Sequence, residues 1–140
     1  MVAKEGYIDV NIFIYWLGGH PIHGEKAYQW IKEVEESGRA KYITSSLTIY
    51  ETLIILAGLT GSSLEDKNFV EEVIKALTGL RNLVITPLTV EDTMEAAKLM
   101  KDYDIDYEDA LHLATALRNR VDAIISNDKD FDKTPLKRIF

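Results

Sequence analysis

The chain has no cysteine, which removes disulfide frameworks and zinc–thiolate centres and fits a reducing compartment. It has three histidines, too few to close a structural zinc site without thiolates. His20-Pro21-Ile22-His23 therefore reads as a turn, with Gly18-Gly19 ending one helix and Pro21 placing the next. No long hydrophobic run is present: the uncharged stretch Thr52–Leu64 is too short to cross a bilayer and contains two glycines. Near the start, Glu5 and Asp9 interrupt the apolar core that a signal peptide would need. These absences predict a soluble, cytoplasmic protein with no membrane partner. Basic residues are also in deficit, 16 against 23 acidic ones for a net charge of −7, so the basic footprint usual for nucleic-acid binders is missing overall. Those that exist are not scattered. Lys129, Lys133, Lys137 and Arg138 crowd the last twelve positions, as a solvated face or as contacts to a phosphate backbone.

The 140 residues are 46% hydrophobic and 28% charged, a globular mixture of one domain's length, and no repeat or linker divides 1–140. Short β-rich runs alternate with longer helical patterns, which predicts an α/β fold with helices on both faces of a parallel sheet of four to five strands. The strands are expected at Gly6–Val10, Lys41–Thr44, Asn82–Thr86 and Asp122–Ser126, with a possible fifth at Arg138–Phe140. The helices are expected near Val10–Leu17, Gly24–Ser37, Ser46–Gly58, Leu64–Leu80, Val90–Tyr103 and Tyr107–Asn119. Apolar residues recur at three and four, as at Val70, Val73, Ile74 and Leu77. Leu53, Ile54, Ile55, Leu56, Ala57 and Leu59 are apolar almost all round, so their helix is either central in the core or part of a subunit interface. Trp16 and Trp30 read as core or interface anchors.

Four acids stand where such a sheet would gather them. Asp9 ends the first strand, Asp128 follows the fourth, Glu51 lies early in the helix after strand two, and Asp109 opens the helix leading into strand four. Ligands in open parallel sheets bind at the carboxyl ends of the strands. Carboxylates brought together there repel unless protons or cations neutralise them, and a hard ion such as Mg²⁺ takes oxygen ligands while keeping waters. The expectation is a metal-dependent phosphodiesterase.

Each acid also has a plainer reading. Thr48-Ile-Tyr-Glu51 and Asp106-Tyr-Glu-Asp109 have the spacing of capping boxes, and Asp109 suits the positive end of a helix dipole. Asp9 suits an N-cap, and Asp128 a turn. His112, three residues after Asp109, reads as a partly buried packing residue. Four acids at the same edge of one sheet favour the chemical reading over four separate coincidences.

The ordered set of motifs resembles PIN-domain ribonucleases, especially the VapC-like toxins of toxin–antitoxin pairs. It runs from Ile8-Asp9-Val10-Asn11 through His20-Pro21-Ile22-His23 and Thr48-Ile-Tyr-Glu51 to Tyr107-Glu-Asp109-Ala-Leu-His-Leu-Ala-Thr-Ala, and ends at Ile124-Ile-Ser126-Asn-Asp128-Lys-Asp130-Phe131. The resemblance implies a three-layer α/β/α sandwich. It implies one or two Mg²⁺ or Mn²⁺ ions held by Asp9, Glu51, Asp109 and Asp128. Asn11 and Ser126 match supporting polar positions that orient carboxylates, water or phosphate, and Asp130 matches a position ranked below Asp128 as a direct ligand. It further implies an RNA substrate, a homodimer, and an antitoxin as possible partner. An inactive PIN-like module that uses the crevice or the Leu53–Leu59 helix to hold a protein is the main alternative. An Asp-based phosphotransfer protein is the other, weakened because Asn11 stands where a phosphatase would place a second Asp.

Overall fold

In the computed structural model, which describes residues 4–140, the alternation resolves into five strands and six helices. The strands are β1 (Lys4–Ile8), β2 (Tyr42–Ser45), β3 (Leu83–Thr86), β4 (Val121–Ile125) and β5 (Lys137–Ile139). The helices are α1 (Val10–Leu17), α2 (Gly24–Glu36), α3 (Ser46–Thr60), α4 (Lys67–Thr78), α5 (Val90–Tyr103) and α6 (Tyr107–Arg118). A 3-10 turn at Lys129–Lys133 precedes β5. All four strand pairings are parallel, in the order β3-β2-β1-β4-β5. The chain thus builds outward from β1 to β3, then returns to the other side of β1 for β4. Reversal of strand order opens a crevice at the carboxyl ends of β1 and β4.

Side chains alternate across each strand, and the core divides accordingly. Tyr7, Ile43 and Ile124 face one side, where they pack with Ala96, Leu99, Leu113 and Ala116 of α5 and α6. Their neighbours Ile8, Tyr42 and Ile125 face the other, against Ile12, Phe13, Ile31, Leu53, Leu56, Val73 and Leu77 of α1 to α4. Two cores on opposite faces of one sheet make the expected three layers. Among the described residues no helix is long and apolar enough to cross a membrane.

Several boundaries move for local reasons. The first strand stops at Ile8 rather than Val10, because Asp9 leaves the sheet and caps α1 with its Oδ1 on the Val10 N–H at 2.8 Å. Helix α4 begins at Lys67 rather than Leu64, since the Asp66 carboxylate accepts from the Asn68 and Phe69 N–H groups, both at 3.1 Å. Helix α3 runs past Gly58 to Thr60 and ends on Gly61, whose φ of +72° is open to glycine at little steric cost. Its apolar circumference is split: Leu53, Leu56 and Ala57 are buried, whereas Tyr50, Ile54, Ile55 and Leu59 are exposed. A wholly central placement of this helix is therefore excluded.

The α5–α6 layer is tied by a buried charge. Asp92 accepts from Arg118 Nε at 2.8 Å and Nη2 at 3.0 Å, from Thr115 Oγ1 at 3.2 Å and from the Thr89 N–H at 3.0 Å. Burial would raise its pKa, but the Arg118 hydrogen bonds and the capping N–H outweigh that and hold it below the ordinary aspartate range. Removing one partner of a fully buried pair costs about 3–5 kcal/mol. Arg118 is 36% exposed, so Asp92→Ala is expected to cost roughly 2–3 kcal/mol in urea denaturation.

Candidate active site

The crevice begins with register. Ile8 pairs with Ile125, and the Asp9 N–H donates to the Ile125 carbonyl at 3.0 Å, so the residues leaving β1 and β4 lie side by side. Asp9 is 4% exposed. The Ser126 hydroxyl, fully buried, donates to Asp9 Oδ2 at 2.7 Å and accepts from the Asp128 N–H at 3.0 Å and Asn11 Nδ2 at 3.2 Å. A hydroxyl offers one proton and two lone pairs, so this one is fully used. It joins three predicted site residues to itself.

Asp128 turns the chain. Its Oδ1 accepts from the Asp130 N–H at 2.9 Å, capping the 3-10 turn and bringing Asp130 back toward α6. There Asp109 sits in the first turn, its own N–H held by Asp106 Oδ1 at 2.8 Å. Asp109, Asp128 and Asp130 each place a carboxylate oxygen within 4.8 Å of the others. Asp9 and Glu51 stand outside that trio. The structure therefore brings Asp130, ranked below Asp128 from the sequence, into the tightest acidic group. Burial pushes the Asp109 carboxyl up to about 7, helped by the negative charges of Asp128, Asp106, Asp9 and Asp130. Burial also raises Asp9, against the opposing pull of His112 and its own hydrogen bonds, and Glu51 adds to the rise.

Glu51 enters from α3. Ser45 occupies the N-cap position of that helix, and Thr48 is buried and accepts from Thr44 Oγ1 at 2.8 Å, so the Thr48–Glu51 capping box does not form. Glu51 is 7% exposed and its Oε1 is hydrogen-bonded to His112 Nε2. Its Oε2 is buried with no hydrogen-bond partner. Burial opposes the charge on Glu51, but the His112 contact prevails and the carboxyl lies below its ordinary range. The adjacent Glu108 is pushed up to about 7, chiefly by the neighbouring Glu51 carboxylate and by burial.

His112 is not the partly buried packing residue expected. It is 1% exposed, and its Nδ1 meets the Tyr7 hydroxyl at 2.6 Å while Nε2 meets Glu51. Tyr7 also donates to Ser45 Oγ at 2.9 Å. Although burial alone would lower it, His112 is raised well above the ordinary histidine range by Tyr7, Glu51 and Asp9. Tyr7 and Glu108 are the site-adjacent residues that sequence reasoning passed over, and His112 is one that it assigned to packing. A signal existed for two of them, because His112 follows Glu108 by four residues and Asp109 by three and must share their helix face.

The remaining candidates have structural roles. His20 Nδ1 accepts from the Ile22 and His23 N–H groups at 3.1 and 3.0 Å, and its ring stacks on His23 at 4.9 Å. Trp30 packs edge-on against Tyr42. Asn127 Nδ2 donates to the Tyr15 hydroxyl at 3.1 Å, joining this aromatic corner to the acidic loop.

The donor set is all oxygen, crowded and partly neutralised by protons, and one buried carboxylate oxygen lacks a donor. That fits a hard divalent cation. It also sets a pH dependence for the metal-free protein. A carboxyl that is raised in the folded state favours folding below its unfolded pKa of 3.8, and this contribution is lost as pH climbs to about 7. Asp109→Asn is therefore expected to flatten the fall in stability between pH 5 and 7.5. The difference should be roughly 1–2 kcal/mol after solvent screening at this partly exposed position, read by denaturation in chelator.

Comparison with known proteins agrees with this architecture. The family model described as PIN domain matches residues 6–137. A toxin–antitoxin complex from Klebsiella pneumoniae superposes with a TM-score of 0.68 at 19% identity, covering 97% of each chain. VapC20 of Mycobacterium tuberculosis, described as a sarcin–ricin-loop-cleaving toxin, gives 0.71 at 14% identity, covering 95% of this chain and 99% of that one. VapBC2 of Rickettsia felis, bound to a DNA fragment from its promoter, gives 0.69 at 18% identity with 97% and 98% covered. No curated protein matches the sequence. With the family model spanning nearly the whole chain and the acids set at the strand ends, the protein belongs to the PIN-domain family.

Proposed function

We propose that the chain is a metal-dependent endoribonuclease of one nuclease domain, the toxin of a toxin–antitoxin pair. The observation that carries this reading is the convergence of Asp109, Asp128 and Asp130 beside buried Asp9 at the switch point of the sheet. Mg²⁺ or Mn²⁺, as one or two ions, would be held by Asp9, Asp109 and Asp128, with Glu51 toward a second position and Asp130 added to the set. When bound, such an ion lowers the pKa of a water for attack on phosphorus and offsets charge in the transition state.

The protein's own groups prepare that chemistry. Ser126 holds Asp9 and the Asp128 backbone in one piece, and Asn11 buttresses Ser126. Asp109, with its carboxyl near 7, gives up its proton readily when positive charge arrives, so ligand strength grows through neutral pH. Asn11 donates an amide to Ser126 where a phosphatase would need a second carboxylate, which disfavours the phosphotransfer reading. Solved neighbours that are toxin–antitoxin complexes support an antitoxin as partner. The exposed Tyr50, Ile54, Ile55 and Leu59 of α3 suit a homodimer contact. The inactive-module alternative keeps that face and lacks turnover. A cytoplasmic location accompanies the toxin reading.

Structured and single-stranded RNAs incubated with Mn²⁺, Mg²⁺ or chelator test the proposal. Wild type is expected to cut with metal alone and leave 5′-phosphate ends, and Asp109→Asn to lose at least about a hundredfold in rate. Cyclic 2′,3′-phosphate ends would contradict the mechanism. Mn²⁺ binding without turnover on any RNA would favour the binding module.

A further inference from the structure

Beneath the acids lies a buried polar chain that the proposed reaction does not consume. It runs from Ser45 Oγ through the Tyr7 hydroxyl and the His112 ring to Glu51 Oε1, linking β2, β1, α6 and α3. The Tyr7 hydroxyl donates to Ser45 Oγ at 2.9 Å, and its oxygen meets His112 Nδ1 at 2.6 Å. On the other side of the ring, Nε2 meets Glu51 Oε1. Glu51 therefore has one oxygen taken from within the protein and one, Oε2, buried with no donor.

We propose that His112 is a positioning residue for the cation site, holding Glu51 Oε1 from below so that Oε2 remains the oxygen available for ligation, with Tyr7 fixing the ring. The inference rests on the metal-site reading above and concerns a residue outside the acidic set. The geometry is that of an outer partner that orients a ligating carboxylate, a role whose loss typically costs 10–100-fold in metal affinity. A purely architectural histidine would serve equally well by bridging Tyr7 and the α6 core.

Two polar substitutions separate these roles. A glutamine amide nitrogen reaches approximately where histidine Nε2 lies, whereas an asparagine amide nitrogen lies near Nδ1. Mn²⁺ binding to the full chain, followed through the paramagnetic resonance of free Mn²⁺, is compared for wild type, His112→Gln and His112→Asn. Metal-free melting temperatures are recorded alongside. The expected result is a loss of about tenfold in Mn²⁺ affinity for His112→Asn and about threefold or less for His112→Gln, with similar melting temperatures. In a Glu51→Gln background, His112→Asn is expected to weaken Mn²⁺ no further, because the interaction it removes is already gone. Equal affinity losses in the two variants, or full additivity with Glu51→Gln, would overturn the positioning role and leave the metal site standing. Absence of Mn²⁺ binding by wild type would overturn the metal site itself, and this inference with it.

Discussion

Parallel pairing of β1 with β4 brings together residues that are 117 positions apart, and the rest of the site follows from it. With Ile8 opposite Ile125, Asp9 and Ser126 leave the sheet together and close a 2.7 Å hydrogen bond. The same pairing sets the direction of the loop that carries Asp128 and Asp130 toward α6. Ser126 is further fixed from the far side: its N–H donates to the Ile139 carbonyl at 3.0 Å, and its carbonyl accepts from Arg138 Nη1 at 3.2 Å. The three-residue edge strand β5 thus braces the backbone under the acids.

Gathering carboxylates at one crevice works against folding, and the structure distributes the opposition. Asp9 and Asp128 are held as caps by backbone N–H groups. Glu51 is balanced by His112 from inside the core. Asp109 and Glu108 instead retain protons to about neutral pH. Asp92 shows the contrasting arrangement in the same protein, a buried acid saturated by a guanidinium and a capping box and left with no capacity for a ligand. What separates the acids of the crevice from Asp92 is unspent hydrogen-bonding capacity rather than burial.

Much of this was legible in the sequence. The bounds of α1 and α5 are as expected, because Asp9 and Thr89 mark their starts with short-range capping chemistry. Apart from the Thr86 end of β3, the strand ends are displaced by a residue or two, because in strands this short the ends are set by neighbours distant in sequence. The placement of Asp9 at the end of β1 and of Asp128 just after β4 could be read from local pattern. The compact trio could not, since Asp130 joins it only through the tight turn that Asp128 caps. His112 was misjudged for a related reason: its partners are 105 and 61 residues away, and nothing local distinguishes a buried hydrogen-bonded histidine from a packed one.

The saturated hydroxyl of Ser126 has a consequence for substitution. One proton and two lone pairs are committed to three partners in a fully buried space, so this position carries a wiring diagram rather than a size or polarity preference. Alanine would cut all three connections at once. Only a side chain that offers one proton and two lone pairs repeats the same three-way junction. The most constrained letter of the site is therefore a neutral one.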